Sequence, residues 1–142
     1  MINSMTSLEE LNQMNANTLM AQLGIEYLEI RSGYVKARMP VNENTMQPMG
    51  ILHGGSSLAL AETLGSLGSA FMVGLDEYEV RGSQISANHV RAGRKGWVIG
   101  EAKIIHQGRN THLWNIDIKD EDGQLVSSCR LTNFILPRNS QK

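Results

Sequence analysis

Residues 58–71, LALAETLGSLGSAF, hold a single charged side chain, Glu62. Leu58, Ala61, Leu64, Leu67 and Phe71 recur at helical spacing, which predicts one helix from Gly54 or Gly55 to about Val73. The opposite side of that helix is small rather than charged: Ala59, Thr63, Ser66 and Ala70. A helix with no solvated face is expected to be buried all round. Gly65 and Gly68 cost helix stability, roughly 1 kcal/mol each against alanine. With Ser69 they leave room for a sheet to approach closely, and that packing is the expected compensation.

What surrounds this helix must be mostly strand. Ser7 and Glu10 match a capping box, so a short helix is predicted to start at Leu8. A second helical turn or two is predicted from Thr18, stopped at Gly24. YVKARMPV alternates, with Val35, Ala37 and Met39 on one face and Tyr34, Lys36 and Arg38 on the other; it reads as a strand ended by Pro40. After the long helix, residues 80–90, 96–107, 111–119 and 124–137 read as four strands of an antiparallel meander, with RAGRKG and DEDG as turns. The economical packing is α+β, a curved antiparallel sheet wrapped around one long central helix. The 142 residues suit a single domain over 1–138, with 139–142 as a flexible tail. A small open sheet leaves edges that invite pairing with a second copy.

Charge narrows the function classes. Lys and Arg number 13 against 14 Asp and Glu, a net charge of -1, which argues against bulk binding to nucleic acid or an anionic membrane. The one cysteine, Cys129, allows no internal disulfide and fits a cytoplasmic setting. No CxxC or zinc-type Cys/His spacing is present, so no metal is expected. The start MINSMTSLEELNQMN is polar and acidic, unlike a secretory leader. The longest apolar run falls well short of the roughly 20 residues that span a bilayer.

The segment before and within the long helix carries the chemistry. His53-Gly54-Gly55 opens the helix, where free amides and the positive end of the macrodipole can hold an anion or an oxygen that becomes one. HGG can equally be a flexible lead-in. Glu62 lies seven residues after Gly55. At about 100° and 1.5 Å per residue it faces roughly the same way, about 10 Å further along the axis. It therefore cannot reach an oxygen held at its own helix start. An antiparallel second helix would set one chain's Glu62 beside the other's Gly55, giving two composite sites per dimer. Glu62 is read as general base or acid, as nucleophile, or as a buried acid satisfied by Ser66 or Thr63. Gln47 can bind a carbonyl or orient a water, or be a loop amide in solvent. His53 can bond at the helix start, orient substrate, or do acid–base work.

NENTMQPMGILHGGSSLALAETLGSLGS closely resembles the hotdog-fold acyl-CoA thioesterases, in the branch that carries an acid on the hotdog helix and includes the arylacyl-CoA enzymes. The likeness extends over nearly the whole chain. The spacing of Gln-Pro, Leu-His-Gly-Gly and Ala-Glu-Thr makes it specific. The resemblance implies that Glu62 is the catalytic carboxylate and that the Gly55 amide polarises the thioester carbonyl. It also implies that Gln47 and His53 position carbonyl or water, and that Ser66 orients the attacking side. The site would form between two subunits, in a homodimer or a dimer of dimers. The substrate would be an acyl-CoA with an aromatic acyl group, such as 1,4-dihydroxy-2-naphthoyl-CoA or a benzoyl-CoA type, with no cofactor needed. His89, Arg91 and Arg109 are the candidates for CoA phosphates, drawn from NHVRAGRKG and HQGRN, where Arg94, Lys95 and His106 also lie. Thr63, beside the acid, matches the enterobactin-type proofreading enzymes rather than the 1,4-dihydroxy-2-naphthoyl-CoA hydrolases. Two rival readings are an acyl-thioester hydratase or dehydratase on the same fold, and a non-catalytic acyl-CoA binding module.

Overall fold

A computed structural model describes residues 1–139; the tail expected at 139–142 lies, from residue 140 on, outside the described residues. Two short helices open the chain. In α1 (Leu8–Gln13) the capping box is formed: the Glu10 amide donates to Ser7 Oγ at 3.2 Å, and the Ser7 amide to Glu10 Oε2 at 2.8 Å. α2 (Leu19–Leu23) stops at Gly24, whose φ of 72° a side chain would oppose.

The next element was not predicted. β1 (Glu26–Arg31) forms a hairpin with β2 (Tyr34–Pro40) across Ser32 and Gly33, with Arg31 opposite Tyr34. A bulge between Tyr27 and Glu29 breaks the two-residue period of β1, so alternation does not reveal it. The two-residue turn ending in glycine was the available signal. β2 buries Val35, Ala37 and Met39 as expected. Tyr34, expected on the wetter face, is buried too. Its hydroxyl donates to Glu101 at 2.6 Å, and burial together with that bond pushes the phenol up to about 12.

α3 (Gly54–Val73) runs through the concavity of the sheet and touches all six strands. Leu60 and Leu64 pack on the sheet at Gly100, and Ala61 and Leu67 are buried with them. The small residues do what was expected. A β-carbon on Gly65 would stand 2.5 Å from Leu131 Cδ2, and one on Gly68 would stand 2.7 Å from Trp114 Cζ2. One expectation is corrected: α3 is not buried all round within a single chain. Glu62 is exposed, and Ala59, Thr63 and Ser66 are half-buried, because the sheet covers only one side of the helix.

The remaining strands are β3 (Tyr78–His89), β4 (Trp97–Gln107), β5 (Thr111–Lys119) and β6 (Leu125–Pro137). The sheet is antiparallel throughout in the order β1-β2-β4-β5-β6-β3. The predicted four-strand meander is therefore corrected. β4, β5 and β6 form one, but β3 pairs with β6 and makes the far edge. Residues 90–96 are not a hairpin turn. They cross the end of the sheet near the start of α3, tied down by Val90 N–H to Val126 O and Leu52 N–H to Gly93 O, 2.9 and 2.8 Å, and by Val41 N–H to Gly96 O, 2.8 Å. β5 alternates as read, with His112, Trp114, Ile116 and Ile118 all buried in the core.

Candidate active site

His53 is the N-cap of α3, and its Nδ1 accepts the Gly55 N–H at 2.7 Å. The ring is thus the tautomer with its proton on Nε2. The amide singled out as an oxyanion donor is occupied by the helix's own cap. Gln47 sits in the preceding loop, half-buried, and its side-chain oxygen accepts the Met49 amide. The loop is closed by the Met46–Leu52 bridge and by His53 N–H to Thr45 O, 2.8 Å. His53 and Gly55 therefore form a cluster at the helix start, and Gln47 stands in the loop that leads into it.

His89 joins that cluster from the end of β3. A β-carbon on Gly54 would lie 2.6 Å from His89 Nε2, so the ring rests on bare backbone, which only glycine permits. Its Nδ1 bonds to the buried Ser127 hydroxyl at 2.9 Å. A cleft of ≈ 310 Å³ lies here, lined by Gly54, Ser57, His89 and Arg91 among others. Arg91 also borders a neighbouring recess with Arg94, Lys95 and the acidic residues Asp120, Glu121 and Asp122. Arg109 is elsewhere, in the turn between β4 and β5. The 11 residues of β4 separate it from Arg91 by on the order of 30 Å, so one chain does not bring Arg109 to His89 and Arg91.

The second cluster lies further along α3. Glu62, Thr63 and Ser66 line one apolar cavity of ≈ 500 Å³, walled by Leu67 and Val80 and by residues of the N-terminal segment, including Leu11, Leu19 and Tyr27. Glu62 lies against β3 at Gly82, where a β-carbon would collide with Oε1. β3 bulges between Gly82 and Gln84. Ser66 Oγ donates to Asn133 Oδ1 at 3.4 Å. Asn133 is fully buried and donates in turn to Gly65 O at 3.1 Å and Ser69 Oγ at 3.0 Å.

Ser69 holds that network together. Its hydroxyl accepts from Trp114 Nε1 at 2.9 Å and from Asn133 Nδ2, so its own proton goes to His112 Nδ1, 2.8 Å away. His112 must then be neutral. Burial, and after it the neighbouring His106, hold its pKa below the ordinary value of 6.5.

Several residues were missed from sequence. Gly82 carried a signal, since a glycine inside a strand marks a bulge or a close approach. Asn133 and His112 did not, because their partners are distant in the chain. The hydrophobic wall from α1 and α2 was read as two short helices with no role at the site. Among the described residues, no cluster of His, Cys, Asp or Glu is arranged to hold a metal. No described helix is long and apolar enough to cross a membrane.

Comparison with known proteins agrees with this architecture. The family model described as the thioesterase superfamily matches residues 49–127. A Vibrio cholerae protein that carries a provisional esterase name is 52% identical over 130 residues, covering 92% of this chain and 86% of the relative. A Haemophilus influenzae protein named in the same way is 46% identical, covering 92% of this chain and 94% of the relative. A Pseudomonas aeruginosa thioesterase, crystallised as a glutamine-to-alanine variant, superposes with a TM-score of 0.91 at 39% identity, over 94% of this chain and 96% of that one. A Haemophilus influenzae thioesterase structure gives 0.90 at 40% identity, over 96% of each chain.

The chain belongs to the thioesterase superfamily and has the hotdog fold. It is an enzyme, a hydrolase of the thioesterase class.

Proposed function

We propose that the protein hydrolyses an aromatic acyl-CoA to the free acid and CoA, in a site that two copies build together. The observation that carries this is the separation on α3. Glu62 stands on the open side of the helix beside the apolar cavity, and the Gly55 amide lies seven residues, about 10 Å, back along the axis. One chain cannot apply both to one carbonyl. An antiparallel copy docked on the open face of α3 would do so twice by symmetry. The unpaired outer edge of β3 supports such docking. A homotetramer, as a dimer of dimers, extends the same reading, and Arg109 would meet the other CoA contacts only through a neighbouring copy.

The cavity takes the acyl group, and its apolar wall suits an aromatic ring. CoA phosphates lie towards His89 and Arg91 in the cleft at the helix start. The thioester oxygen takes the Gly55 N–H over from His53 Nδ1. Negative charge then develops at the positive end of α3. Gln47 and the released His53 ring position carbonyl or water. In the general-base form, Glu62 takes a proton from water as the water oxygen bonds to the carbonyl carbon. The carbon–sulfur bond then breaks, and the electron pair leaves on the CoA thiolate. In the nucleophilic form, the Glu62 carboxylate bonds to that carbon first, the carbon–sulfur bond breaks with its electron pair on the CoA thiolate, and water then cleaves the resulting anhydride to the free acid and the restored carboxylate. Ser66, held by Asn133, orients the attacking group in either form. Neither form needs a metal or an organic cofactor. A cytoplasmic location fits the single, buried cysteine.

The test is thiol release from benzoyl-CoA and from a panel of aliphatic acyl-CoAs, with Glu62→Gln beside wild type. The expected result is turnover of benzoyl-CoA and a fall on the order of a hundredfold to ten-thousandfold in the variant. Inactivity of wild type on the whole panel would end the proposal. Equal rates for both proteins would remove Glu62 from it.

A further inference from the structure

His89 is exposed in the single chain and lines the cleft at the start of α3. The residue that holds its ring lies behind it. Ser127 on β6 pairs with His89 on β3, is fully buried, and sets its hydroxyl 2.9 Å from His89 Nδ1. That hydroxyl has one proton and two further neighbours. Asn88 O stands 3.4 Å away. This is long for an O–H···O bond, whose usual length is about 2.7–2.8 Å. Cys129 Sγ is also 3.4 Å away, and a thiol is a weak donor at such a separation. Burial pushes the Cys129 thiol up, so it keeps its proton. The short contact therefore takes the Ser127 proton: Cys129 donates to Ser127, and Ser127 donates to His89 Nδ1.

The hydrogen bond at one ring nitrogen decides what the other does. With Nδ1 accepting, the neutral ring carries its proton on Nε2. Nε2 is also the ring atom nearest a β-carbon built on Gly54, at 2.6 Å, and Gly54 lines the same cleft. The donor thus stands beside the first turn of α3. An alanine at 127 would bury no hydroxyl in the core, so what the serine adds is the fixed imidazole. We infer that Ser127 is a positioning residue: through Nδ1 it holds the His89 ring over Gly54 and keeps Nε2 a donor for a phosphate of CoA. This inference rests on the aroyl-CoA reading above and adds to it the buried residue through which His89 acts.

The test measures kcat and KM for benzoyl-CoA and for S-benzoylpantetheine, which keeps the thioester and its arm but has no phosphate. The proteins are wild type, Ser127→Ala, His89→Ala and the double variant, each with a thermal melt. Ser127→Ala should raise KM for benzoyl-CoA about three- to tenfold, hold kcat within about twofold, and leave KM for S-benzoylpantetheine unchanged. Added to His89→Ala it should change nothing further. Ser127→Thr and Ser127→Val, alike in shape, give a second reading should alanine fold poorly: threonine should keep the wild-type KM and valine should show the rise. Nitrogen NMR spectra of the wild-type rings at about pH 8.5 should place the His89 proton on Nε2. A proton on Nδ1 would overturn the inference. So would an unchanged KM for benzoyl-CoA in Ser127→Ala, a rise shared by both substrates, or an effect that survives removal of His89. Each of these leaves the aroyl-CoA reading standing. No turnover of either substrate would overturn both.

Discussion

The carboxylate of Glu62 lies against the backbone of Gly82: Oε1 stands too close to leave room for a β-carbon there. Glu62 therefore rests on bare backbone of β3, next to the strand's bulge. Gly82→Ala should push the carboxylate off this position. Since β3 is exposed here, the fold should survive. A misplacement of about an ångström costs on the order of a hundredfold in rate, so kcat should fall by roughly ten- to a hundredfold with little change in melting temperature. Thiol-release kinetics beside a thermal melt checks both halves. An unchanged kcat would show that Gly82 does not position Glu62.

His53 caps α3 through the Gly55 amide at 2.7 Å. Replacing an N-cap side chain costs about 0.5–2 kcal/mol, so His53→Ala should lower stability by that amount. His53→Asn can accept the same N–H and should recover most of the loss. Urea denaturation of the three proteins measures it. Equal stability of the alanine and asparagine variants would mean that the cap contributes nothing.

The Gly68 α-carbon lies against the Trp114 ring, and Trp114 is fully buried. At an exposed helix position, Gly→Ala stabilises by about 1 kcal/mol. Here the added methyl has no space and the indole is held by its bond to Ser69. Gly68→Ala should therefore destabilise by about 1–3 kcal/mol. A raised melting temperature would contradict the close packing of α3 on β5.

His112 makes stability depend on pH in a definite direction. Its folded pKa lies below the ordinary 6.5, so the unfolded chain takes up the proton first as pH falls. Stability from this group is full above about pH 6.5 and is lost progressively below it, down to the depressed folded value. Protonation also removes the acceptor that Ser69 needs. Unfolding free energies at pH 8, 6 and 5 should show the decline. His112→Gln should be less stable overall, with a shallower decline over that interval. An identical pH slope in wild type and His112→Gln would contradict this account.

Local rules carried the reading a long way. The start of α3 at His53-Gly54-Gly55, the capping box at Ser7 and Glu10, and the alternation of β5 were all legible, since each depends on neighbours within a few residues. β1 was not, because its bulge shifts the period. The pairing of β3 with β6 was not either. Strand partners are chosen by contacts far apart in sequence, and alternation says only that a strand has a partner. At the site, Glu62, Thr63 and Ser66, each singled out in the sequence, line one cavity, while the Ser66 hydroxyl bonds to Asn133 rather than to Glu62. His89 and Arg91 reach the helix start, whereas Arg109 sits at the other end of β4.

The chain's own order of residues thus determined that a long helix with one acid and small residues would run under a sheet, because hydrophobic period and glycine placement are local properties. Only the tertiary structure decided which side of that helix stays open. The sheet covers Leu60 and Leu64 and leaves Glu62 exposed, because a curved sheet can wrap one face of a helix and no more. It also decided that Asn15 and Glu62, 47 residues apart, line one cavity. Such a meeting is set by the packing of α1 on β1 and of α2 on α3, which no stretch of sequence contains by itself.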